Sequence, residues 1–329
     1  MLAYRLFYRL LVITSMVLLL LLACVAVVGS RATLSPPRRT TETWHHAWLE
    51  NPDSHGMKVT RFTSSNGTPC LICEPSSAPR GKKALDVRAA LRNRGTKISP
   101  WGTLRGTVVL LHGHKGCKED HLPISERFCA VGFRCLCLDL PGHGQHPAPH
   151  ATFGHTERNM LTSVWNDFLT KHPEAREPLF LFGVSQGAAI ALQAAANPQW
   201  PVRAVASVCS FASLDQPIEA SAAHLPFVIR DLTPLTTRAC AMGIYCQSGF
   251  FPHDISPLNA ATLIDCPVFL CHGEADRFIP VSAAEQLFDA VPHEKKTLRI
   301  IPSAAHHDVL AKGSTELYAD ICDFFLGAL

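Results

Sequence analysis

Ser185 lies in Gly183-Val184-Ser185-Gln186-Gly187, after the apolar run Leu179–Val184 and before an alanine-rich stretch at 186–196. A serine at a strand-to-helix turn has the means to act as a nucleophile. The turn strains its backbone, the small residues on either side let strand and helix close on it, and the helix N-terminus attracts developing negative charge. Gly-x-Ser-x-Gly alone is a weak signal, and the flanking elements carry the argument here.

A serine hydroxyl needs a base to take its proton, and the base needs an acid to hold its tautomer. In a site of this kind the acid and then the histidine follow the serine along the chain. Asp276 ends His272-Gly273-Glu274-Ala275-Asp276, just past the apolar run 268–271, in the sort of strand-end loop where sites are built. Glu274 and Asp215 are the competing carboxylates. After the last apolar run, 298–301, stand His306 and His307, and only one of two adjacent side chains need face the site. An oxyanion would need two backbone donors. Gln186 N–H, directly after the serine, is one. The second is expected from His112-Gly113-His114-Lys115-Gly116, with His114 donating through its main chain and His112 bracing the loop by hydrogen bonds.

These residues require a sheet and helices to position them. Short apolar runs at 107–111, Phe133–Leu138, Leu179–Val184, Val202–Val208, 268–271 and 298–301 alternate with helical patterns at 124–131, 157–170, 186–196, 283–291 and 315–325. That alternation predicts a parallel sheet wound by helices. Ahead of it, Met57–Thr63 and the short run 70–73 flank Asn66-Gly67, a hairpin signal, so two antiparallel strands should open the domain. The basic stretch 76–101, with a short helix at 84–92, reads as a surface insertion. The interval 211–265 is rich in Leu, Ala, Phe and Pro and is too long for a loop, which predicts a helical cap.

The 329 residues carry a net charge of +3 with 17% charged residues and no basic stripe, which argues against nucleic acid as a partner. Residues 10–28 form an uncharged run of roughly 28 Å as a helix, matching the hydrocarbon of a bilayer. The expected organisation is a membrane anchor or signal segment at 1–29, a linker at 30–56, and a domain at 57–329. The default topology is a single-pass anchor with the domain outside the cytoplasm. The rival readings are a signal cleaved near Val28-Gly29-Ser30, giving a secreted protein, and a lipoprotein acylated at Cys24. Thirteen cysteines without regular spacing read as packing residues; Cys70 and Cys73 have the C-x-x-C spacing of a zinc or redox site, and an oxidising compartment would allow a disulfide between Cys240 and Cys246, but neither pair is favoured. His143, His146 and His150 lie in a proline-rich loop lacking accompanying carboxylates, so no metal site is assigned.

Several of these pieces recur in one order over residues 105–329: His112-Gly113, Asp139-Leu140-Pro141-Gly142-His143-Gly144, Gly183 to Gly187, His272 to Asp276 with Phe278-Ile279-Pro280, and Ala305-His306. In that combination the chain resembles the α/β-hydrolase superfamily, in its monoglyceride-lipase-like and serine-aminopeptidase-like branch. The resemblance implies Asp276 as the acid. It implies His306 as the base, since the family motif has a small residue before the histidine and often an acidic one shortly after, here Asp308. Gln186, where relatives often have methionine, and Ala188, where many have a second glycine, depart from the pattern without removing a catalytic atom. The expected function is cofactor-free hydrolysis of carboxylic esters or thioesters with apolar acyl chains through an acyl-enzyme. The alternatives are an aminopeptidase-like serine peptidase acting on short peptides, and an inactive binding protein of the same fold.

Overall fold

A computed structural model gives the fold and describes residues 1–173, 175, 178–223 and 232–329. The described residues form an eight-stranded sheet in the order β1-β2-β4-β3-β5-β6-β7-β8. Its strands are β1 (Met57–Thr63), β2 (Pro69–Pro75), β3 (Gly106–Leu111), β4 (Phe133–Leu138), β5 (Leu179–Val184), β6 (Val202–Val208), β7 (Val268–Gly273) and β8 (Lys296–Ile301). The hairpin β1–β2 forms around Asn66-Gly67, with Gly67 at φ +82°, and β2 joins β4 antiparallel. From β4 to β8 every pairing is parallel.

The central strands β3 and β5 are apolar along nearly their whole length because both faces are covered. Val108 and Leu110 of β3 face one layer with Phe128, Phe133, Phe180 and Phe325, contributed in part by α4 (Leu122–Ala130) and by the last helix, Val309–Leu326. Val109 and Leu111 face the other, with Trp165 of α5 (Glu157–Lys171), Ile190 of α6 (Gln186–Ala195) and Leu287 of Ser282–Ala290. Cys70 and Cys73 fall on opposite faces of the sheet, three positions apart on a strand whose side chains alternate. Their C-x-x-C spacing therefore cannot converge on one ion or form one redox pair.

Two expectations are corrected. The helix expected at 84–92 is no surface insertion: α3 (Lys82–Asn93) buries Ala84, Val87 and Leu91 in the same layer as α4. The segment 30–56 is no free tether either. The apolar N-terminal run forms α1 (Leu2–Leu34), long and apolar enough to cross a bilayer, whose last turn buries Ser30 and Leu34. Beyond it Arg38 donates to the carbonyls of His146 and Ala148 at 2.5 and 2.8 Å, and α2 (Thr43–Glu50) buries His45 and Trp48. Polar composition suggested a linker; it serves instead to hydrogen-bond the loop after β4.

Between β6 and β7, the described residues form α7 (Asp215–Ala223), α8 (Thr233–Ser248) and a short helix, Pro257–Ala261. The centre of the expected cap, 224–231, lies outside the described residues. Phe211, Leu214, Ile218, Cys240, Ile244 and Phe250 gather here with Leu34 and Phe153 in a third apolar cluster, against which Val25 packs.

Candidate active site

The turn at Ser185 is strained, as its glycine neighbours foretold. Ser185 has φ 52° and ψ −115°, in the left-handed half of backbone space where a residue with a side chain is rarely found. The strain is held in place by close backbone approach. A Cβ on Gly187 would lie 2.0 Å from the Leu111 carbonyl oxygen, and one on Gly183 would lie 2.1 Å from that of Gly187. Only glycine lets β3, β5 and α6 meet this closely. The Ser185 N–H donates to Val208 O at 2.8 Å, tying the turn to β6.

Ser185 Oγ is 2.9 Å from His306 Nε2, and His306 Nδ1 is 2.7 Å from Asp276 Oδ2. Residues 121 and 30 positions apart in sequence thus form one hydrogen-bonded chain. Asp276 is fixed from both sides: its Oδ1 accepts the N–H groups of Phe278 and Ile279 at 2.9 and 2.8 Å. His272 Nε2 lies 3.2 Å from Oδ2 and 2.9 Å from Ile279 O, while His272 Nδ1 has no partner among the described residues, so its proton sits on Nε2. Burial pushes the Asp276 carboxyl up, but hydrogen bonds from His272 and His306 outweigh it and hold the group well below the usual carboxylate range. This carboxylate is therefore charged near neutral pH.

The competing residues are elsewhere. Glu274 accepts Ser303 N–H at 2.9 Å on the surface, and Asp215 heads α7, where its carboxylate accepts the Ser213 hydroxyl at 3.0 Å. His307 lies beside His306 with ring centroids 5.2 Å apart but is not in the chain of bonds. Asp308 accepts Ala305 N–H at 2.6 Å and so closes the loop that presents His306.

Gln186 is the first residue of α6, where the N–H has no carbonyl one turn earlier to bond. Gly113 approaches from the other side, with a Cβ on it falling 3.5 Å from Ser185 Cβ. The next residue, His114, is anchored by its ring: Nε2 is 3.0 Å from Thr33 O, and the ring stacks on Phe153. His112 braces the loop as expected, donating from Nδ1 to Gly113 O at 2.8 Å and accepting Leu140 N–H on Nε2 at 3.0 Å. Burial pushes His112 and His114 below the ordinary histidine range, so both rings stay neutral near neutrality.

The Asp139 turn is structural. Its carboxylate accepts Lys118 N–H, Lys118 Nζ and Gln145 N–H at 2.8, 2.8 and 2.9 Å. Burial pushes the Lys118 ammonium down, but Asp139 overrides this and raises it. His143, His146 and His150 diverge, bonding Pro141 O, Ala148 N–H and the Ser35 hydroxyl respectively. Among the described residues His45, Cys117 and Asp120 come close enough to share an ion, but Asp120 already faces His45 Nε2 at 3.0 Å and Arg39 Nε at 3.4 Å.

Ser185, Gln186, His114 and His306 open on a cavity of about 580 Å³. Its other walls include Phe211, Leu214 and Ile218 from the cap side, Phe278 from the loop after β7, Leu310 from the start of the last helix, and Val25, Gly29, Ala32 and Thr33 from α1. The sequence reading missed the α1 wall and the His272 bond. Only the i, i+4 spacing of His272 and Asp276 offered a hint of the second, and nothing local signalled the first.

Residues 106–233 match the family model described as alpha/beta hydrolase fold, and residues 256–310 match the model described as serine aminopeptidase, S33. The chain is 27% identical to a monoacylglycerol lipase of Mycolicibacterium smegmatis over 248 residues, covering 66% of this chain and 86% of that protein. It is 25% identical to the uncharacterized protein YqkD of Bacillus subtilis, covering 60% of this chain and 63% of that one, somewhat under two thirds of its length. Among solved structures an esterase of Pyrococcus furiosus superposes with a TM-score of 0.63 at 18% identity, covering 90% of this chain and 98% of that one. An acylaminoacyl peptidase of Pyrococcus horikoshii gives 0.56 at 14% identity, covering 83% and 42%. At such identities the structural likeness establishes the fold alone.

Proposed function

The chain is an α/β hydrolase of the monoglyceride-lipase-like and serine-aminopeptidase-like branch, and from that premise we propose that it cleaves carboxylic esters or thioesters through an acyl-enzyme on Ser185. The observation that carries this reading is the bonded chain Ser185–His306–Asp276 at the floor of a cavity with largely apolar walls. Ser185 Oγ attacks the acyl carbon while its proton passes to His306 Nε2. The carbonyl oxygen becomes an oxyanion facing the N–H groups of Gln186 and His114. As the tetrahedral centre collapses, the bond to the leaving alcohol or thiol breaks and His306 returns the proton to it. Water, deprotonated by the same histidine, then attacks the acyl-serine and restores the hydroxyl. Asp276 keeps the His306 proton on Nδ1 throughout, so that Nε2 is free to accept.

An apolar acyl group is favoured over a peptide by the walls of the cavity. Among its described lining residues there is no aspartate or glutamate to pair with a free amino terminus. The similarity to a monoacylglycerol lipase points the same way. Residues 1–29 serve as an uncleaved membrane anchor in this proposal, with the domain outside the cytoplasm. Cleavage near Ser30 would remove part of the cavity wall, which speaks against a secreted form.

The test uses the full-length chain in detergent micelles, treated with a fluorophosphonate beside a Ser185→Ala variant. Labelling of the wild type alone, with turnover of p-nitrophenyl esters and none of aminoacyl-anilides, is the expected result. Anilide turnover would move the assignment to a peptidase, and absence of labelling in folded protein would move it to a binding protein.

A further inference from the structure

Resting on the hydrolase reading above, we propose that α1 is a substrate-binding element as well as an anchor: Val25, Gly29, Ala32 and Thr33 form the wall that holds a single aliphatic acyl chain whose carbonyl lies at Ser185. The four residues fall on one side of the helix, at spacings of four, three and one, and all line the cavity that Ser185 and His306 open on.

This end of α1 is built into the domain. A Cβ on Gly243 of α8 would lie 2.0 Å from the Ala26 carbonyl oxygen, so the two helices touch backbone to backbone. Gln247 of α8 donates to the Ser30 hydroxyl, and Gly29 faces Cys240 closely enough that a Cβ would be 3.1 Å from its sulfur. Thr33 O meets His114 Nε2 at 3.0 Å, and Leu34 O accepts Ala151 N–H at 2.7 Å. The same helix turn therefore lines the cavity and holds the loop that presents the His114 N–H.

Length places this wall at the membrane surface. The 33 residues of α1 extend about 50 Å, whereas the bilayer hydrocarbon needs about 20 residues. Leu6, Leu10, Ile13, Val17 and Leu20 expose apolar side chains suited to lipid, Val27 and Val28 carry that exposed surface to the end of the charge-free run, and Val25, Gly29, Ala32 and Thr33 of the same turns face the cavity. Met242 and Tyr245 of α8 are also exposed, on the helix that packs against α1, where an apolar ring with a polar tip suits the interface. A chain leaving the bilayer beside α1 meets the cavity within a turn or two of the helix. The cavity volume of about 580 Å³ lies in the range that encloses one small ligand. The occupant is thus a membrane-resident ester bearing one acyl chain.

The experiment uses the full-length wild type in phosphatidylcholine nanodiscs and a long-chain alkyl fluorophosphonate carrying a diazirine near its tail. Ser185 Oγ displaces fluoride from phosphorus, and light then joins the tail to its neighbours. The expected result is a crosslinked peptide from residues 25–33. Labelling at Ser185 with crosslinks confined to the cap or to lipid would overturn the proposal. No labelling at all would overturn the hydrolase reading instead, which keeps the two failures apart. Side-chain substitutions give a second readout: Val25→Trp and Ala32→Trp fill the wall and should lower the dodecanoate-to-butyrate ratio of kcat/KM by about tenfold or more. Leu20→Trp, on the exposed lipid-facing stretch, should leave that ratio unchanged. An unaltered ratio in both wall variants, with thermal melts like the wild type, would also refute the role of α1.

Discussion

Replacing Asp276 by asparagine asks whether this carboxylate acts by holding a proton on one nitrogen of His306. The surroundings dictate how the new amide must sit. Oδ1 accepts two backbone N–H groups, from Phe278 and Ile279, that cannot rotate away. Pointing the amide NH2 at them would forfeit two hydrogen bonds and set donor against donor, at about 1–3 kcal/mol for each buried group left unpaired. The amide oxygen therefore stays there, and the NH2 faces His306 Nδ1, which the carboxylate contacts at 2.7 Å in the native protein. His306 must then carry its proton on Nε2 and cannot accept one from Ser185. A wrong tautomer of this kind costs about 10⁴-fold in rate in a serine triad, or about 5 kcal/mol of transition-state stabilisation. Two measurements on the full-length protein in detergent read it: kcat/KM for a butyrate ester, and the second-order rate of fluorophosphonate labelling. Both should fall together. Glu274→Gln is the matched control, since Glu274 accepts only Ser303 N–H on the surface, and it should stay within about twofold of wild type. An Asp276→Asn protein that keeps more than about a tenth of wild-type activity would refute the reasoning, and a comparable loss in Glu274→Gln would reassign the acid.

The same carboxylate predicts a pH dependence of stability. Its folded pKa lies below the unfolded value of about 3.9, so the stability it contributes is present above that value and is lost as pH falls below it. Urea midpoints measured across the acid range should drop more steeply for the wild type than for Asp276→Asn; equal slopes would show that Asp276 is not held charged by the fold. Lys118→Ala leaves Asp139 as a buried carboxylate without its ammonium partner, and should cost about 3–5 kcal/mol in denaturant unfolding, whereas a cost under about 1 kcal/mol would mean the pair is solvated. Gly187→Ala places a Cβ against the Leu111 carbonyl at 2.0 Å and should lower thermal stability while abolishing labelling of Ser185; a protein that labels at the wild-type rate would show that β3 and α6 can part without disturbing the turn.

What could be read from the sequence was local. The turn at Ser185 was legible because its strain and its close packing both demand particular small residues at fixed spacing, and Gly183 and Gly187 meet that demand within five positions. The strands were legible because a sheet covered on both faces needs largely apolar runs, and the hairpin because Asn66-Gly67 suits a tight turn. Choosing His306 over its neighbour His307 needed the resemblance to known hydrolases, since two adjacent histidines have no local property that ranks them. The surface reading of 84–92 and the tether reading of 30–56 failed for one reason. Charge and polarity were taken for solvent exposure, when Lys and Arg residues of α3 flank an apolar stripe and Arg38 spends its donors on the loop after β4. Above all, an apolar run long enough to span a bilayer carries no mark of where the bilayer ends. That the end of α1 packs on the domain, and that four of its residues face the cavity at Ser185, was decided by contacts with α8 and the His114 loop, which lie far away in the chain and come together only when the sheet has formed.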